Sequence, residues 1–192
     1  MGYLEIVIGP MFSGKTKKLI ETAKKAQESG ASILVVNHIS DKRYSQTMLS
    51  THDKIMFPCK FLASLDEALN EMNEADAIFI NEAQFFDADQ LVRIVEYFVN
   101  RMEKSVYVYG LDGDYLQKPI GGILNLVPIC DKIEKLYSQC SNCRERAIYS
   151  VLKDVCVYTK KTPKAQIIVG GENEYMVLCR YCWRGVVYNK EL

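Results

Sequence analysis

The chain has 192 residues, 48% of them hydrophobic and 25% charged, and its 24 acidic side chains balance 24 basic ones. That profile belongs to a globular protein with one well-buried core, and it gives no reason to expect a nucleic-acid-binding face or attraction to a membrane surface. No run approaches the roughly 20 apolar residues of a membrane span, and the first apolar run is not preceded by a basic signal region. A cytoplasmic, reducing location is therefore the expectation, in which seven cysteines read as metal ligands and packed thiols rather than disulfides.

In chain order, Tyr3 to Ile8 predicts a short strand. Gly9-Pro10-Met11-Phe12-Ser13-Gly14-Lys15-Thr16 follows as a complete phosphate-binding loop. Its glycines let successive backbone N–H groups face anionic oxygens, Lys15 reaches the β/γ-phosphates of ATP, and Thr16 offers a hydroxyl to Mg²⁺. Lys17 to Glu28, with Leu19, Ile20, Ala23 and Ala26 at helical spacing, predicts the helix whose positive end meets that charge. Ser32 to Asn37 predicts a second strand, and residues 38–57 are polar, irregular and long for a plain connection, so they are a candidate functional loop. Ser64-Leu65-Asp66-Glu67 is a capping box opening a helix to about Asn73. Ala75 to Ile80 predicts a buried strand, Asp87 with Gln90 a cap for a helix to about Met102, and Ser105 to Leu111 the last core strand. Alternating strands and helices of this kind define an α/β fold: a three-layer, RecA-like phosphate-loop domain with a mostly parallel sheet. The expected ATP-binding domain covers residues 1–136, and a small zinc-ribbon module covers 137–192.

A phosphate loop needs a partner that manages the metal and the attacking group, at the carboxyl end of a buried strand expected next to the loop strand. Ala77-Ile78-Phe79-Ile80-Asn81-Glu82 has that form, and Glu82 is the candidate general base. Asn81 keeps a carbonyl oxygen where an aspartate commonly holds metal, so weaker Mg²⁺ binding is expected. Asp112 and Asp114 are possible substitutes, although Asp-Gly also favours a plain turn. Cys140-Ser-Asn-Cys143 and Cys179-Arg-Tyr-Cys182 have the spacing that lets each pair grip one tetrahedral Zn²⁺. Four thiolates leave no open position, so that zinc is structural and ties off residues 144–178. Cys59, Cys130 and Cys156 lack such spacing and read as packed thiols.

Asp41-Lys-Arg43-Tyr44, Thr51-His-Asp53, Asn81-Glu-Ala-Gln-Phe-Phe86, Leu111-Asp-Gly-Asp-Tyr-Leu-Gln-Lys-Pro119 and Gly170-Gly-Glu-Asn-Glu-Tyr175 occur in order with the phosphate loop and the cysteine pairs. Over nearly its whole length the chain resembles the zinc-containing thymidine kinases of animal cells, bacteria and large DNA viruses. The resemblance implies transfer of the γ-phosphate of Mg-ATP to the 5′-hydroxyl of thymidine or deoxyuridine. Glu82 then matches the catalytic base, and Gly9 to Thr16 with Asn81, Glu82, Ala83 and Gln84 match the ATP site. Residues 144–178 match a lasso over the thymine, with Val169, Gly170, Gly171 and Tyr175 against the nucleoside and Ser150 near the base. Met11, Phe85, Leu111 and Tyr115 match the pocket wall, and Asp41 and Arg43 a pair near the sugar and phosphates. The family implies a homotetramer or homodimer inhibited by thymidine triphosphate. Departures are Asn81 for aspartate, Ile120 where phenylalanine is usual, and Val151-Leu152 at positions that are often basic. The alternative that Asn81 motivates is a nucleotide-binding regulator or a catalytically impaired subunit.

Overall fold

The structure, a computed structural model, describes residues 1–41, 48–50, 55–153, 166 and 170–188. Its elements are β1 (Tyr3–Ile8), α1 (Lys15–Glu28), β2 (Ile33–His38), β3 (Met48–Ser50), β4 (Met56–Pro58), β5 (Lys60–Leu62), α2 (Leu69–Glu74), β6 (Ala77–Ile80), α3 (Ala88–Asn100) and β7 (Ser105–Gly110). After a 3-10 segment at Ile123–Ile129 come β8 (Lys132–Lys135), β9 (Ser138–Gln139), β10 (Arg146–Ala147), β11 (Tyr149–Leu152), β12 (Tyr175–Leu178) and α4 (Arg180–Tyr188).

Six strands form one sheet in the order β5-β2-β6-β7-β1-β8, and every pairing in it is parallel. A parallel sheet needs cover on both faces, which is why β6 is apolar and buried at all four positions. Side chains alternate between the faces. Ile6, Ile78, Val106 and Val108 meet Leu91, Ile94, Val95 and Phe98 of α3. Val7, Phe79 and Tyr109 meet Leu19, Ile20 and Ala23 of α1. The three-layer expectation holds, and each fully buried Leu, Ile or Phe in these layers contributes about 1.5–3 kcal/mol of transfer free energy.

Several expectations change. The strand leading to Glu82 is not beside the loop strand: β7 lies between β6 and β1. After α3 the chain re-enters the sheet in that gap, so β7 pairs with both. Residues 38–57 are not all irregular, because β3 and β4 pair antiparallel and bury Leu49 and Phe57 against the α1 face. Ser105–Gly110 is not the last strand of the sheet, since β8 extends it beyond β1. Ser64 and Glu67 do close a capping box, but it opens a 3-10 turn at Leu65–Ala68 that only then becomes α2. Asp87 caps α3 by accepting from the Gln90 N–H at 2.9 Å. The Gln90 side chain turns away, accepting from the Leu65 N–H at 3.0 Å and donating to Ser64 Oγ at 2.7 Å, so it joins two helices rather than completing a box.

Candidate active site

Because all six strands run the same way, β1, β2, β6 and β7 end on one edge of the sheet, where an open α/β sheet binds its ligand. The loop after β1 turns at Gly9, whose φ is 155°. A Cβ there would stand 2.7 Å from the Leu136 carbonyl oxygen, so only glycine fits. Gly14, at φ 82°, precedes α1, whose first turn has no acidic residue and no side-chain cap. Its leading N–H groups and positive dipole end thus face the loop. Lys15 is buried and folds its Nζ over the loop, donating to the carbonyls of Gly9 at 3.2 Å and Pro10 at 2.7 Å. Together these groups form a seat for a polyanion. Thr16 is the second residue of α1, half-buried beside that seat.

Glu82 follows β6 in the left-handed region at φ 50° and starts the 3-10 turn Ala83–Phe85. A non-glycine residue costs of order 1–3 kcal/mol there, so the surroundings must hold it. Gln84 does so. Its Nε2 donates to Glu82 Oε2 at 2.5 Å, while its Oε1 accepts from the Leu111 N–H at 3.0 Å. Gln84 is 1% exposed, and a Cβ on Gly110 would meet its Oε1 at 2.7 Å. It therefore braces the ends of β6 and β7, facing inward, and aims the Glu82 carboxylate. Phe86 is a core residue and Phe85 is half-buried, its ring 5.7 Å from that of His38.

Asn81 is 2% exposed and donates through Nδ2 to Asn37 Oδ1 at 3.1 Å, and Asn37 Nδ2 donates in turn to Asp41 Oδ2 at 3.2 Å. The amide at position 81 is thereby tied to the end of β2. Neither proposed substitute carboxylate is an unengaged metal ligand. Asp112 pairs with Lys135 at 2.6 Å. Asp114 Oδ1 accepts from the N–H groups of Leu116 and Lys118 at 2.8 and 2.9 Å, the plain-turn role.

A second group of side chains closes over the loop. Tyr115, Leu152 and Tyr175 are buried together, with Met11 and Leu116 packed on them. Burial, with Tyr115 and Asp114 nearby, pushes the Tyr175 hydroxyl up to about 12, so it stays a neutral aromatic wall at physiological pH. Ser150, 5% exposed, accepts from the Met11 N–H at 2.9 Å. Gly170 and Gly171 lead into β12 through a turn in which Gly171 N–H donates to Glu174 Oε2 at 2.7 Å. Leu111 is half-buried after β7, Ile120 is buried, and Val151 and Leu152 are buried rather than presented as surface residues. Arg43 and Val169 lie outside the described residues.

Cys140, Cys143, Cys179 and Cys182 converge so that their Sγ atoms all lie within 4.8 Å of one another. Cys143 and Cys179 Sγ are 3.6 Å apart. Tetrahedral Zn²⁺, with Zn–S bonds of about 2.3 Å, requires sulfurs about 3.8 Å apart, so this donor set fits the ion. Burial would raise the Cys140 thiol, but backbone hydrogen bonds from Cys179, Cys143 and Asn142 outweigh it and bring it down to about 6.

A parallel sheet with a glycine-hinged loop at its edge, leading into a helix, and a lobe with four converging cysteines packed on that loop, defines a phosphate-loop nucleotide-binding protein. The family model described as "Thymidine kinase" matches residues 2–183. The chain is 36% identical to the thymidine kinase of Yaba monkey tumor virus, over 95% of this chain and 94% of that one. It is 34% identical to thymidine kinase a of Arabidopsis thaliana, over 93% of this chain and 74% of that one. With the cytosolic thymidine kinase of Homo sapiens it shares 33% identity, over 95% and 73%. The chain belongs to the thymidine kinase family. Asn37, His38 and the inward brace made by Gln84 are the site features that motif spacing did not single out. Their one sequence signal is polar residues at the carboxyl ends of apolar strands.

Proposed function

We propose that this chain transfers the γ-phosphoryl group of Mg-ATP to the 5′-hydroxyl of thymidine, and of deoxyuridine, with Glu82 as the general base. The observation that supports the base assignment is its placement: Glu82 emerges on the sheet edge that carries the phosphate loop, its carboxylate oriented by Gln84. The loop N–H groups, Lys15 and the start of α1 would hold the phosphates. Thr16 would be the chain's ligand to Mg²⁺, which supplies charge neutralisation of the phosphate oxygens when bound. The nucleoside oxygen attacks the γ-phosphorus in line, the bond to the bridging oxygen breaks to release ADP, and the 5′-hydroxyl proton passes to Glu82. Met11, Phe85, Leu111, Tyr115, Ser150, Val169, Gly170, Gly171 and Tyr175 would enclose the nucleoside, with Asp41 and Arg43 toward its sugar and the transferring group.

The four cysteines would hold a structural zinc at the base of a 137–192 module, next to a 1–136 ATP-binding domain. A homotetramer or homodimer, inhibition by thymidine triphosphate and a cytoplasmic location complete the reading. No helix among the described residues is long and apolar enough to cross a membrane. The regulator alternative gains no support from any relative named above. Glu82→Gln keeps the shape and removes the base, so ATP-dependent thymidine phosphorylation should fall by about a hundredfold or more while ATP affinity is retained. Turnover equal to wild type would remove Glu82 from that role.

A further inference from the structure

The middle of the phosphate loop is held from outside. The Met11 N–H donates to Ser150 Oγ at 2.9 Å, and Ser138 Oγ donates to the Phe12 carbonyl at 3.1 Å. Ser138 stands on a strand that runs into the cysteine cluster, and Ser150 on a strand paired with one that does. Ser138 is in β9, two residues before Cys140. Ser150 is in β11, in register with Val177 of β12, two residues before Cys179. Ser141, beside Cys140, closes the frame, its N–H donating to the Val177 carbonyl at 2.8 Å and its Oγ accepting from the Val177 N–H at 3.1 Å. One path from a cysteine to the loop thus runs from Cys140 through β9 to the Ser138 hydroxyl, and the other from Cys179 through the paired strands β12 and β11 to Ser150.

One of the gripped residues, Phe12, has a backbone that its surroundings must hold. Phe12 sits in the left-handed region at φ 59°, which a non-glycine residue adopts only when its surroundings impose it. Met11 belongs to both halves of the site. Its backbone is part of the phosphate loop, while its side chain packs on Tyr115 and Tyr175. A peptide fastened on one side and packed on the other transmits displacement between them.

We propose that Ser138 and Ser150 are positioning residues that clasp the phosphate loop to the cysteine-tied lobe, so that the lobe helps set the ATP seat as well as covering the nucleoside. The inference rests on the nucleotide seat assigned above. The same clasp is proposed to let bound thymidine, by steadying the lobe, tighten ATP binding, and because coupling is reciprocal ATP then tightens thymidine binding by the same factor.

The test uses the full-length protein and titrates a fluorescent ATP analogue with Mg²⁺, with and without thymidine. Ser138→Ala, which lies outside the proposed substrate contacts, should weaken analogue binding by about twofold to tenfold, the range of one lost hydrogen bond. Thymidine affinity measured alone should be unchanged, and the thymidine-induced tightening should shrink. Ser138→Thr, which keeps the hydroxyl, should restore both. Analogue affinity unaltered in Ser138→Ala would overturn the clasp. So would equal losses for both ligands with a lowered melting temperature, the mark of a role in folding alone. Binding is read without turnover, so a wild-type protein that binds ATP but does not phosphorylate thymidine would sink the function and leave the clasp to be judged by these titrations.

Discussion

Replacing Asn81 by aspartate probes the amide chain at the end of β6, and its outcome follows from which atoms can donate. An ionised Asp41 only accepts, so Asn37 must turn Nδ2 toward it, at 3.2 Å. That leaves Asn37 Oδ1 to accept from Asn81 Nδ2 and from the His38 N–H, each at 3.1 Å. A carboxylate at position 81 has no proton to give and meets that same oxygen, in a place only 2% exposed for Asn81. Flipping Asn37 would mend this contact, but it would turn Oδ1 on Asp41 and take the acceptor from His38. One lost hydrogen bond and one unpaired buried acceptor together cost about 2–4 kcal/mol. For a chain of this length that is a melting-point fall of about 4–16 °C.

The measurement is thermal unfolding of Asn81→Asp and wild type at pH 7 and pH 5. Burial beside an acceptor raises the new carboxyl's pKa in the folded state above its unfolded value of about 3.9. The penalty is then complete above the folded pKa and fades as pH falls through it, because the protonated acid can donate to Asn37 Oδ1. The double variant Asn81→Asp with Asp41→Asn lets the chain of donors run in reverse and should recover about half the loss. An Asn81→Asp protein as stable as wild type at pH 7, or one whose deficit is as large at pH 5, would refute the reasoning.

Two further outcomes follow. Stripping metal with a chelator should unfold the cysteine-tied lobe, lower the melting temperature and abolish thymidine binding, with recovery on adding Zn²⁺; a metal-free protein that binds thymidine normally would contradict the four-thiolate assignment. His38, whose Nδ1 accepts from the Ser40 N–H at 3.1 Å, is held below the usual 6.5 by burial, against smaller opposing effects from Ala63 and Glu67. Its neutral form is the one that fits, so its contribution is present above pH 6.5 and lost as pH falls through that value toward the folded pKa. The urea midpoint of wild type should drop over that window more than that of His38→Phe, and parallel profiles would refute it.

Local order was legible wherever one short segment carried its own physics. The phosphate loop could be read because glycine, lysine and threonine each do a backbone or charge task at set spacing, and the loop has the geometry those tasks need. The cysteine pairs were legible for the same reason. β8 was not, because Lys132-Ile-Glu-Lys135 is charged, with little of the alternation that marks a strand. Charges suit an edge, and only pairing with β1 makes this segment a strand. The β3–β4 pair carries no such signal, because each strand has three residues, too few to show a period.

By itself the amino-acid order determined the class of chemistry: a polyanion seat, a carboxylate at a strand end and a four-sulfur knot, each encoded by residues close in the chain. Tertiary structure alone decided who neighbours whom. It put β7 between β1 and β6, turned Gln84 inward to brace Glu82, committed Asn81 to Asn37, and brought Ser138 and Ser150 onto a loop that precedes them by more than a hundred residues. The reason is physical. Local spacing specifies which groups a segment offers, whereas their partners are set by sheet order and by burial that leaves each polar atom to find a bond where it lies.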